Sequence, residues 1–315
     1  MRLEQLRSLA AIVRQGSFTR AAEQLFLTQP SLSQQIRQLE TELGVELLDR
    51  SGRSVTLTQA GEQLYPRIAR MLAEERCIER HAAELRGDAE TRLSVAMVPV
   101  ASERVLPSVF HAFTAECART LLDISEHGSE GVAERIRSGF ADIGIAAWSP
   151  RLPNWYQGVR VEHLTLGRVV ACVPADSPLA AFGSIRLNQL EGHALVLFRE
   201  GYLTRDLIAS VSPFDLRETM VLSTDNSMSA RHMVAAGLGV AFLQSIPGEG
   251  PEPAWYGTRT VQLIEPDIPI GLCIVTARKA HLTQAGQTFI RLVRRFTGDL
   301  DANSGETTLH VLDPA

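Results

Sequence analysis

The chain has 315 residues, 45% of them hydrophobic and 21% charged, with a formal net charge of −5 at pH 7. A chain of this length can bury more than one core, so we expect two or three compact parts. No apolar run approaches the roughly 20 residues needed to cross a bilayer, and no signal-peptide pattern opens the chain. The four cysteines are widely separated and form no C-x-x-C pair, which suits a reducing compartment. We therefore expect a cytoplasmic protein without a metal, a cofactor or a membrane contact.

The segment from residue 16 to residue 44 shows two amphipathic helical patterns joined by a short polar turn. Ser17 can cap a helix that runs through Leu25, because its hydroxyl can accept from unpaired N–H groups of the first turn. Thr28 can cap a second helix, and Pro30 falls in its first turn, where a missing N–H costs nothing. Apolar residues then recur at spacings of four, three and four, which predicts one buried stripe. The stripe consists of Leu32, Ile36, Leu39 and Leu43.

The opposite face of this second helix carries Ser, Gln and Arg side chains. Such groups can meet base edges and phosphates in a major groove, and two helices joined in this way are typical of a DNA-reading helix-turn-helix. On spacing alone, an ordinary helical hairpin with a solvated polar face remains an alternative. The candidate DNA contacts in the helix pair are Thr19, Gln29, Pro30, Ser31, Ser33, Gln34, Arg37 and Gln38.

Residues 45–61 predict a short two-stranded wing that turns through Gly52. Arg50 and Arg53 are expected at its tip, where a guanidinium can touch a phosphate or enter a minor groove. Although the whole chain is acidic, residues 1–58 carry seven Arg against six acidic residues, so this part alone is not acidic. The local charge balance is therefore compatible with DNA binding through a modest number of phosphate contacts.

A long helix follows the wing, with Thr58 as its cap and Gly87 at its end. Its apolar residues recur at heptad spacing, and a helix with so narrow a seam has little of its own domain to cover it. A partner chain is therefore the expected occupant, while packing against the same chain remains the alternative. The seam consists of Leu64, Ile68, Met71, Ile78, Ala82 and Leu85, and Glu75 interrupts it.

From Thr91 onward, short apolar strands alternate with helices, which predicts parallel sheets in βαβ order. The first series has strands at 93–98, 121–124 and 143–146 and helices at 103–115 and 132–138. The second series has strands at 169–173, 195–198, 219–222 and 240–243 and helices at 204–211 and 229–236. A strand at 270–276 and a helix at 283–295 would return to the first lobe. Two α/β lobes joined by crossing strands make a cleft.

The N-terminal blocks GSFTRAAEQL, TQPSLSQQIRQLETELG, LLDRSGR and LTQAGE, in this order, resemble the LysR-type transcriptional regulators. The segments MVPVASERVLP, RIRSGFADIGIA, VACVPADSPLA, LVLFREGYLTRD and MVAAGLGVAFLQ resemble the periplasmic-binding-protein-like effector domain of that family. Phe26 and Leu27 depart from the pattern, since many members carry a polar or smaller residue there, and we expect them to affect packing more than DNA reading.

The resemblance implies an α+β multidomain chain. A winged helix-turn-helix occupies 1–58, a dimerisation helix 59–87, an effector domain 88–300 and a C-terminal tail 301–315. In the effector domain, lobe I spans about 91–165 and 268–300, and lobe II spans about 166–267.

The resemblance also implies a small anionic metabolite in the cleft, held near strand ends and helix N-termini. Val100 stands where the family commonly offers a hydroxyl, so Ser102 is the nearest replacement donor. Trp148 is expected to wall the cleft, and Arg205 is the natural partner of a carboxylate if it faces inward. For each residue, capping a helix or lying at the surface is the alternative. The remaining candidates for the ligand site are Gly128, Ser129, Tyr202, Thr204 and Thr224.

The function expected from this resemblance is sequence-specific binding of double-stranded promoter DNA, controlled by the small-molecule effector. Dimers formed through 59–87 would assemble as tetramers, and contact with RNA polymerase is a further expectation. No H-E-x-x-H, G-x-S-x-G or phosphate-cradling motif occurs, so we expect no catalytic residues. A constitutive DNA-binding repressor or an architectural protein without a physiological ligand remains the alternative function.

Overall fold

The computed structural model describes residues 1–52, 54–86, 91–152, 155–245, 257–278 and 282–304. The expectations for Arg53, for Gly87 and for the tail beyond Ser304 fall outside these residues. The chain divides into two compact units, the first formed by Met1–Asp88 with Arg137–Phe140 and the second by Ala89–Ile136 with Ala141–Ala315.

The first unit is a helical head with a two-stranded wing and a long final helix. Its strands pair antiparallel, with Leu48 opposite Leu57 and Asp49 opposite Thr56. The predicted winged helix-turn-helix is therefore confirmed. Its elements are α1 (Leu3–Gln15), α2 (Phe18–Gln24), α3 (Gln29–Leu43), β1 (Leu48–Asp49), β2 (Thr56–Leu57) and α4 (Gln59–Arg86).

Both predicted caps of the helix pair are present. The Ser17 hydroxyl accepts from the backbone N–H of Arg20 at 3.5 Å, and the Thr28 hydroxyl accepts from that of Ser31 at 3.4 Å. Each cap satisfies a donor that the first turn would otherwise leave unpaired, which fixes where α2 and α3 begin. The predicted stripe of α3 lies in the core of the head, where Leu32, Ile36 and Leu39 are fully buried and Leu43 is partly buried.

Helix α4 divides its apolar residues between two surfaces. Ile68 and Leu72 are buried in the core of the head. Met71 is 45% exposed and Ile78 is 64% exposed. Glu75, which interrupts the predicted seam, accepts two hydrogen bonds from Arg7 at 2.7 and 3.2 Å. Packing against the same chain thus covers the first part of the seam, whereas Met71 and Ile78 are exposed in this chain.

Lobe I of the second unit is built on strands in the order β4-β3-β5-β13-β6. β3 runs parallel to β4 and β5, whereas β13 returns antiparallel to β5 and β6. The elements of lobe I are β3 (Thr91–Met97), α5 (Pro99–Arg104), α6 (Leu106–Glu116), β4 (Thr120–Glu126), α7 (Ser129–Arg137), β5 (Ile143–Trp148), β6 (Val159–His163), β13 (Pro269–Ala277) and α11 (Gln284–Ser304).

Lobe II has its own sheet, in the order β10-β9-β11-β7-β12-β8, and apolar clusters on both faces of it. The elements of lobe II are β7 (Gly167–Pro174), β8 (Ser184–Arg186), β9 (Leu195–Phe198), α8 (Leu203–Val211), α9 (Leu216–Thr219), β10 (Met220–Thr224), α10 (Ser227–Ala235), β11 (Val240–Gln244) and β12 (Thr258–Ile264).

The two lobes are joined by β7 and β13, which pair where Gly167 lies opposite Ile270 and Arg168 lies opposite Pro269. The two-lobed α/β architecture predicted from the sequence is therefore confirmed, and the crossing strands bring the strand ends of both lobes to one cleft.

Two predicted helices differ from the structure. The last one was predicted over 283–295, but α11 runs from Gln284 to Ser304 and so includes the first residues of the expected tail. The other is broken in two. The sequence pattern predicted a single helix over 103–115, but α5 ends at Arg104 and α6 begins at Leu106. The break follows from Pro107 in the first turn of α6, because proline donates no N–H and would clash with the preceding turn of a continuous helix. Glu103 therefore lies in the last turn of α5 and not at the start of a longer helix.

Candidate functional site

The polar face of α3 is open to solvent. Gln29, Pro30, Gln34, Arg37 and Gln38 are exposed, while Ser31 and Ser33 are partly exposed. Thr19, at the start of α2, is also exposed. The buried stripe of α3 fixes this polar face outward, because both faces belong to one rigid helix. The side chains predicted to contact bases are therefore available to a DNA groove.

Arg50 is held against the helices of the head. Its guanidinium forms an ion pair with Glu40 at 2.9 Å and lies 5.0 Å from the ring centre of Phe18. The same Glu40 carboxylate accepts from the backbone N–H groups of Leu47 and Leu48. The sequence pattern placed Arg50 at the wing tip, whereas the structure places it where it ties the wing to α2 and α3. A phosphate contact by Arg50 would have to be shared with Glu40.

Phe26 occupies an unusual position in the turn between α2 and α3. Its φ is +54°, in the left-handed region, and its side chain is 95% exposed. The N–H groups of Phe26 and Leu27 bond to the carbonyls of Glu23 and Ala22, the pattern of a helix end that favours Gly or Asn at the left-handed residue. The expectation that Phe26 acts through packing is therefore wrong, because this backbone directs its ring into solvent.

Phe26→Asn should stabilise the head by about 0.5–1 kcal/mol, because Asn tolerates left-handed backbone better than Phe and no buried contact is lost. Hydrogen exchange of the buried α1 amides would measure the gain. Phe26→Ala is the matched control, since it removes the ring but lacks the short polar side chain that lets Asn hydrogen-bond locally in the left-handed conformation. Equal stability of all three proteins would contradict the strain argument.

A cavity of about 50 Å³ lies between the two lobes of the second unit. It contains three charged side chains, Glu103 and Arg104 from lobe I and Arg231 from lobe II. Three hydroxyl-bearing residues also border it, namely Ser129, Thr204 and Ser227. The apolar part of the wall is formed by Val98, Val100, Ala147, Phe198, Leu203 and Leu243.

Three helices of lobes I and II direct their N-terminal turns toward this cavity. α7 presents Ser129, α8 presents Leu203 and Thr204, and α10 presents Ser227. Unpaired N–H groups and the helix dipole make such ends favourable for negative charge. Gln244 adds a donor, because its side-chain nitrogen is buried and has no hydrogen-bond partner among the described residues.

The lobes touch each other beside the cavity. The hydroxyl of Ser227 in lobe II donates to the Glu103 carboxylate in lobe I. The backbone N–H of Glu130 in lobe I donates to the carbonyl of Gly201 in lobe II at 3.2 Å. A Cβ added to Gly128 would lie 2.6 Å from the same Gly201 oxygen. The structure is therefore a closed form, in which a side chain at residue 128 would separate the lobes.

Burial raises the pKa of Glu103, and the hydrogen bond from Ser227 and the charges of Arg104 and Arg231 offset only part of this effect. Burial likewise raises the pKa of Tyr202 to about 12, so its hydroxyl is a donor at neutral pH. That hydroxyl donates to the carbonyl of Asp225 at 2.7 Å.

Four of the nine residues predicted for the ligand site border the cavity, namely Val100, Ser129, Tyr202 and Thr204. Gly128 lies at the lobe contact. The Ser102 hydroxyl lies within hydrogen-bond distance of the carbonyl of Pro99, at 2.8 Å, and of the Glu126 carboxylate, so it links α5 to β4 within lobe I. Thr224 is buried and bonds to the backbone of Asn226.

Trp148 and Arg205 lie outside the cavity wall. The ring of Trp148 stacks on His163 with 3.8 Å between ring centres and donates to the carbonyl of Thr165 at 3.0 Å. Arg205 donates to the carbonyl of Phe198 at 3.1 Å and lies 3.8 Å from Glu200. Arg205 was chosen as a carboxylate partner on the condition that it face inward, and the structure instead brings Arg104 and Arg231 to the cavity.

Sequence reasoning missed Glu103, Arg104, Ser227, Arg231 and Gln244. A usable signal existed for Arg231, which shares the buried face of α10 with Ser227, Ala230 and Val234 and is 5% exposed. A buried arginine needs partners, so an Arg on the apolar face of a helix indicates a polar site. The other four residues showed no such signal, because Glu103 and Arg104 of lobe I come close to Ser227 and Gln244 of lobe II only where the two lobes meet.

The described residues contain no group of three or more potential metal ligands and no helix long and apolar enough to cross a membrane. Among the cysteines, Cys172 and Cys273 are buried and Cys117 is partly buried. Burial also raises the pKa of the Cys117 thiol, which disfavours the reactive thiolate.

Comparison with known proteins matches both units. Residues 3–62 match the family described as bacterial regulatory helix-turn-helix protein, lysR family, and residues 86–298 match the LysR substrate binding domain. The Hca operon transcriptional activator HcaR of Escherichia coli is 32% identical over 251 residues, covering 79% of this chain and 82% of that protein. A probable nitrogen assimilation transcriptional activator of Synechococcus elongatus is 32% identical over 244 residues, covering 77% of this chain and 78% of that protein.

Solved structures share the fold. A variant of full-length OxyR from Pseudomonas aeruginosa superposes with a TM-score of 0.61 at 25% identity, covering 94% of both chains. Full-length CbnR in complex with its target DNA superposes with a TM-score of 0.59 at 21% identity, covering 94% of this chain and all of CbnR. The likeness extends through both units of the chain.

Proposed function

The chain belongs to the LysR family of bacterial transcriptional regulators, and on that premise we propose that it reads promoter DNA through α3 under the control of a small anionic effector. The DNA contacts proposed are the residues of the polar face of α3 together with Thr19, Arg50 and Arg53. The effector would occupy the cavity between lobes I and II.

The observation that carries the anionic assignment is the concentration of donors around the cavity. Arg104 and Arg231 supply positive charge, and Gln244 supplies a buried N–H group that lacks an acceptor among the described residues. The N-termini of α7, α8 and α10 add partial positive charge. A carboxylate or another oxyanion carries the opposite charge and only accepts hydrogen bonds, so it is the kind of group that these donors favour.

The size of the cavity limits what the closed form can hold. A volume of 50 Å³ corresponds to roughly four water-sized groups, about the size of a small carboxylate. A larger effector therefore requires the lobes to part. Ligand binding and lobe geometry are thereby coupled, because a ligand shifts the equilibrium toward the form that it fits.

We further propose that α4 pairs with its copy in a second chain through the surface that contains Met71 and Ile78, and that dimers assemble as tetramers. Effector binding would change the spacing of the reading heads on one promoter, and with it the bending of the DNA. Contact with RNA polymerase and a cytoplasmic location belong to the same proposal. Relatives are named as transcriptional regulators, which supports a role without catalysis.

The test combines operator selection with ligand screening on the purified full chain. Operators selected from random DNA should be protected by the protein, and a panel of carboxylates and phosphate esters should contain members that raise the melting temperature. A true effector should also alter the footprint. If the protein binds DNA specifically but neither its stability nor its footprint responds to any anion, the constitutive repressor or architectural protein replaces this proposal.

A further inference from the structure

Glu103 is a carboxylate of the protein placed inside a site that favours anions. It lies near the C-terminal end of α5 in lobe I, and its partner Ser227 is the first residue of α10 in lobe II. The hydroxyl of Ser227 donates to it across the gap between the lobes. Ser227 is 8% exposed and Glu103 is partly buried.

The positive charges next to Glu103 are the same ones that would attract the carboxylate of a bound ligand. Arg231, one turn farther along α10, and Arg104, the next residue on α5, both act on the Glu103 carboxylate. Glu126, at the end of β4, is the third charged group that faces it, and it is repulsive. The positive end of α10 and a buried arginine thus meet a carboxylate from the opposite lobe.

The Glu103 carboxylate neither gains full stabilisation of its charge at this site nor satisfies all of the hydrogen-bond donors there. Burial raises its pKa despite the two arginines, so its charge is less well stabilised here than in water. The nitrogen of Gln244, which borders the same cavity, is left without an acceptor. A free carboxylate that is not tied to α5 could reach both α10 and Gln244.

We propose that Glu103 competes internally with the effector, its carboxylate occupying the position at Ser227 and Arg231 that the carboxylate of an anionic effector takes when it binds. This inference rests on the proposed function, since it concerns the same cavity. Displacement of Glu103 breaks the hydrogen bond between the lobes, so effector binding releases one lobe contact as it forms its own. The ligand class is accordingly a small carboxylate.

The decisive variant is Glu103→Gln in the full chain, which keeps the size of the side chain and removes its charge. Acetate, pyruvate, succinate and benzoate would serve as probes, with affinity taken from thermal shift titrations. Probes that bind should bind the variant at least about tenfold more tightly, equivalent to ~1.4 kcal/mol. Glu126→Gln is the matched control, because it removes the same charge nearby from a carboxylate that is bonded within lobe I by Ser102.

The pH dependence gives a second readout. As pH falls through the raised pKa of Glu103, its carboxyl becomes neutral and stops competing, so wild-type affinity for a strongly acidic probe such as pyruvate should increase. The Glu103→Gln variant lacks this step, and its affinity should stay flat over the same range. Without ligand, Glu103→Ala should speed hydrogen exchange in the first turn of α10.

Equal affinity of wild type and Glu103→Gln for the probes would overturn internal competition while leaving the anionic effector in place. An equal gain from Glu126→Gln would also overturn it, because a general charge effect would then suffice. If neither protein binds any probe or any other anion of the screening panel, the anionic effector itself is refuted, and the inference falls with it.

Discussion

Gly128→Ala should hold the lobes apart and weaken effector binding by roughly 30-fold. The added Cβ would lie 2.6 Å from the carbonyl oxygen of Gly201 and 2.9 Å from the ring of Tyr202. A backbone oxygen cannot yield as a flexible side chain does, so we assign the closed form a cost of ~2 kcal/mol. For an effector small enough to fit the closed cavity, such as acetate, this cost is subtracted from the binding free energy, and each ~1.4 kcal/mol weakens binding tenfold.

The effect of Gly128→Ala can be measured in two ways, and the first, hydrogen exchange, needs no ligand. The N–H of Glu130 is bonded to the carbonyl of Gly201 in the closed form, so its hydrogen exchange should become faster in the variant. A titration with a probe that binds wild type gives the second arm.

Gly183→Ala is the matched control for Gly128→Ala, because a Cβ at residue 183 would meet no atom within 4 Å. Unchanged exchange at Glu130 in Gly128→Ala would show that the lobes can close around the methyl group, contrary to this prediction.

Arg37→Ala should weaken binding to a selected operator by about 1–3 kcal/mol, or roughly 5- to 150-fold, and relax the preference at one base pair. The side chain is exposed on α3, two turns beyond Gln29 and one residue past the buried Ile36. A guanidinium in a major groove donates two bonds to guanine, and alanine leaves those acceptors without a partner.

Fluorescence anisotropy with the selected operator and single-base variants would measure the effect of Arg37→Ala. Arg70→Ala is the control, since it removes an equal charge from an exposed residue of α4 in the same unit. That control should change affinity little and leave base preference unaltered. If both variants weakened all sequences to the same extent, Arg37 would be a phosphate contact rather than a base contact.

The reading head was predictable because its signals are local. Ser17 and Thr28 cap helices by bonds to residues three positions away, and the stripe of α3 is a property of one helix. Phe26 shows the limit of such reasoning. Its side chain type suggests burial, but the left-handed backbone that ends α2 decides its exposure.

The ligand site was less predictable because it depends on where two lobes meet. Arg205 and Arg231 look alike as sequence, each near the start of a lobe II helix. Arg205 turns back to the carbonyl of Phe198, whereas Arg231 lies on the buried face of α10. Glu103 was counted as the first residue of a helix, but Pro107 ends that helix early and leaves Glu103 beside the opposite lobe.

Under the proposed pairing of α4 with its copy, the division of this helix between two surfaces determines how far apart the two half-sites of the DNA lie. Ile68 and Leu72 fasten the helix to the head, and Met71 and Ile78 face outward from the same rigid rod. With α4 paired to its copy, one inserted residue between Leu72 and Ile78 would rotate the head by about 100° and displace it by about 1.5 Å relative to the partner. The separation of the two half-sites is then counted in residues of α4, and a change in that count would call for a different operator even with every base-reading side chain intact.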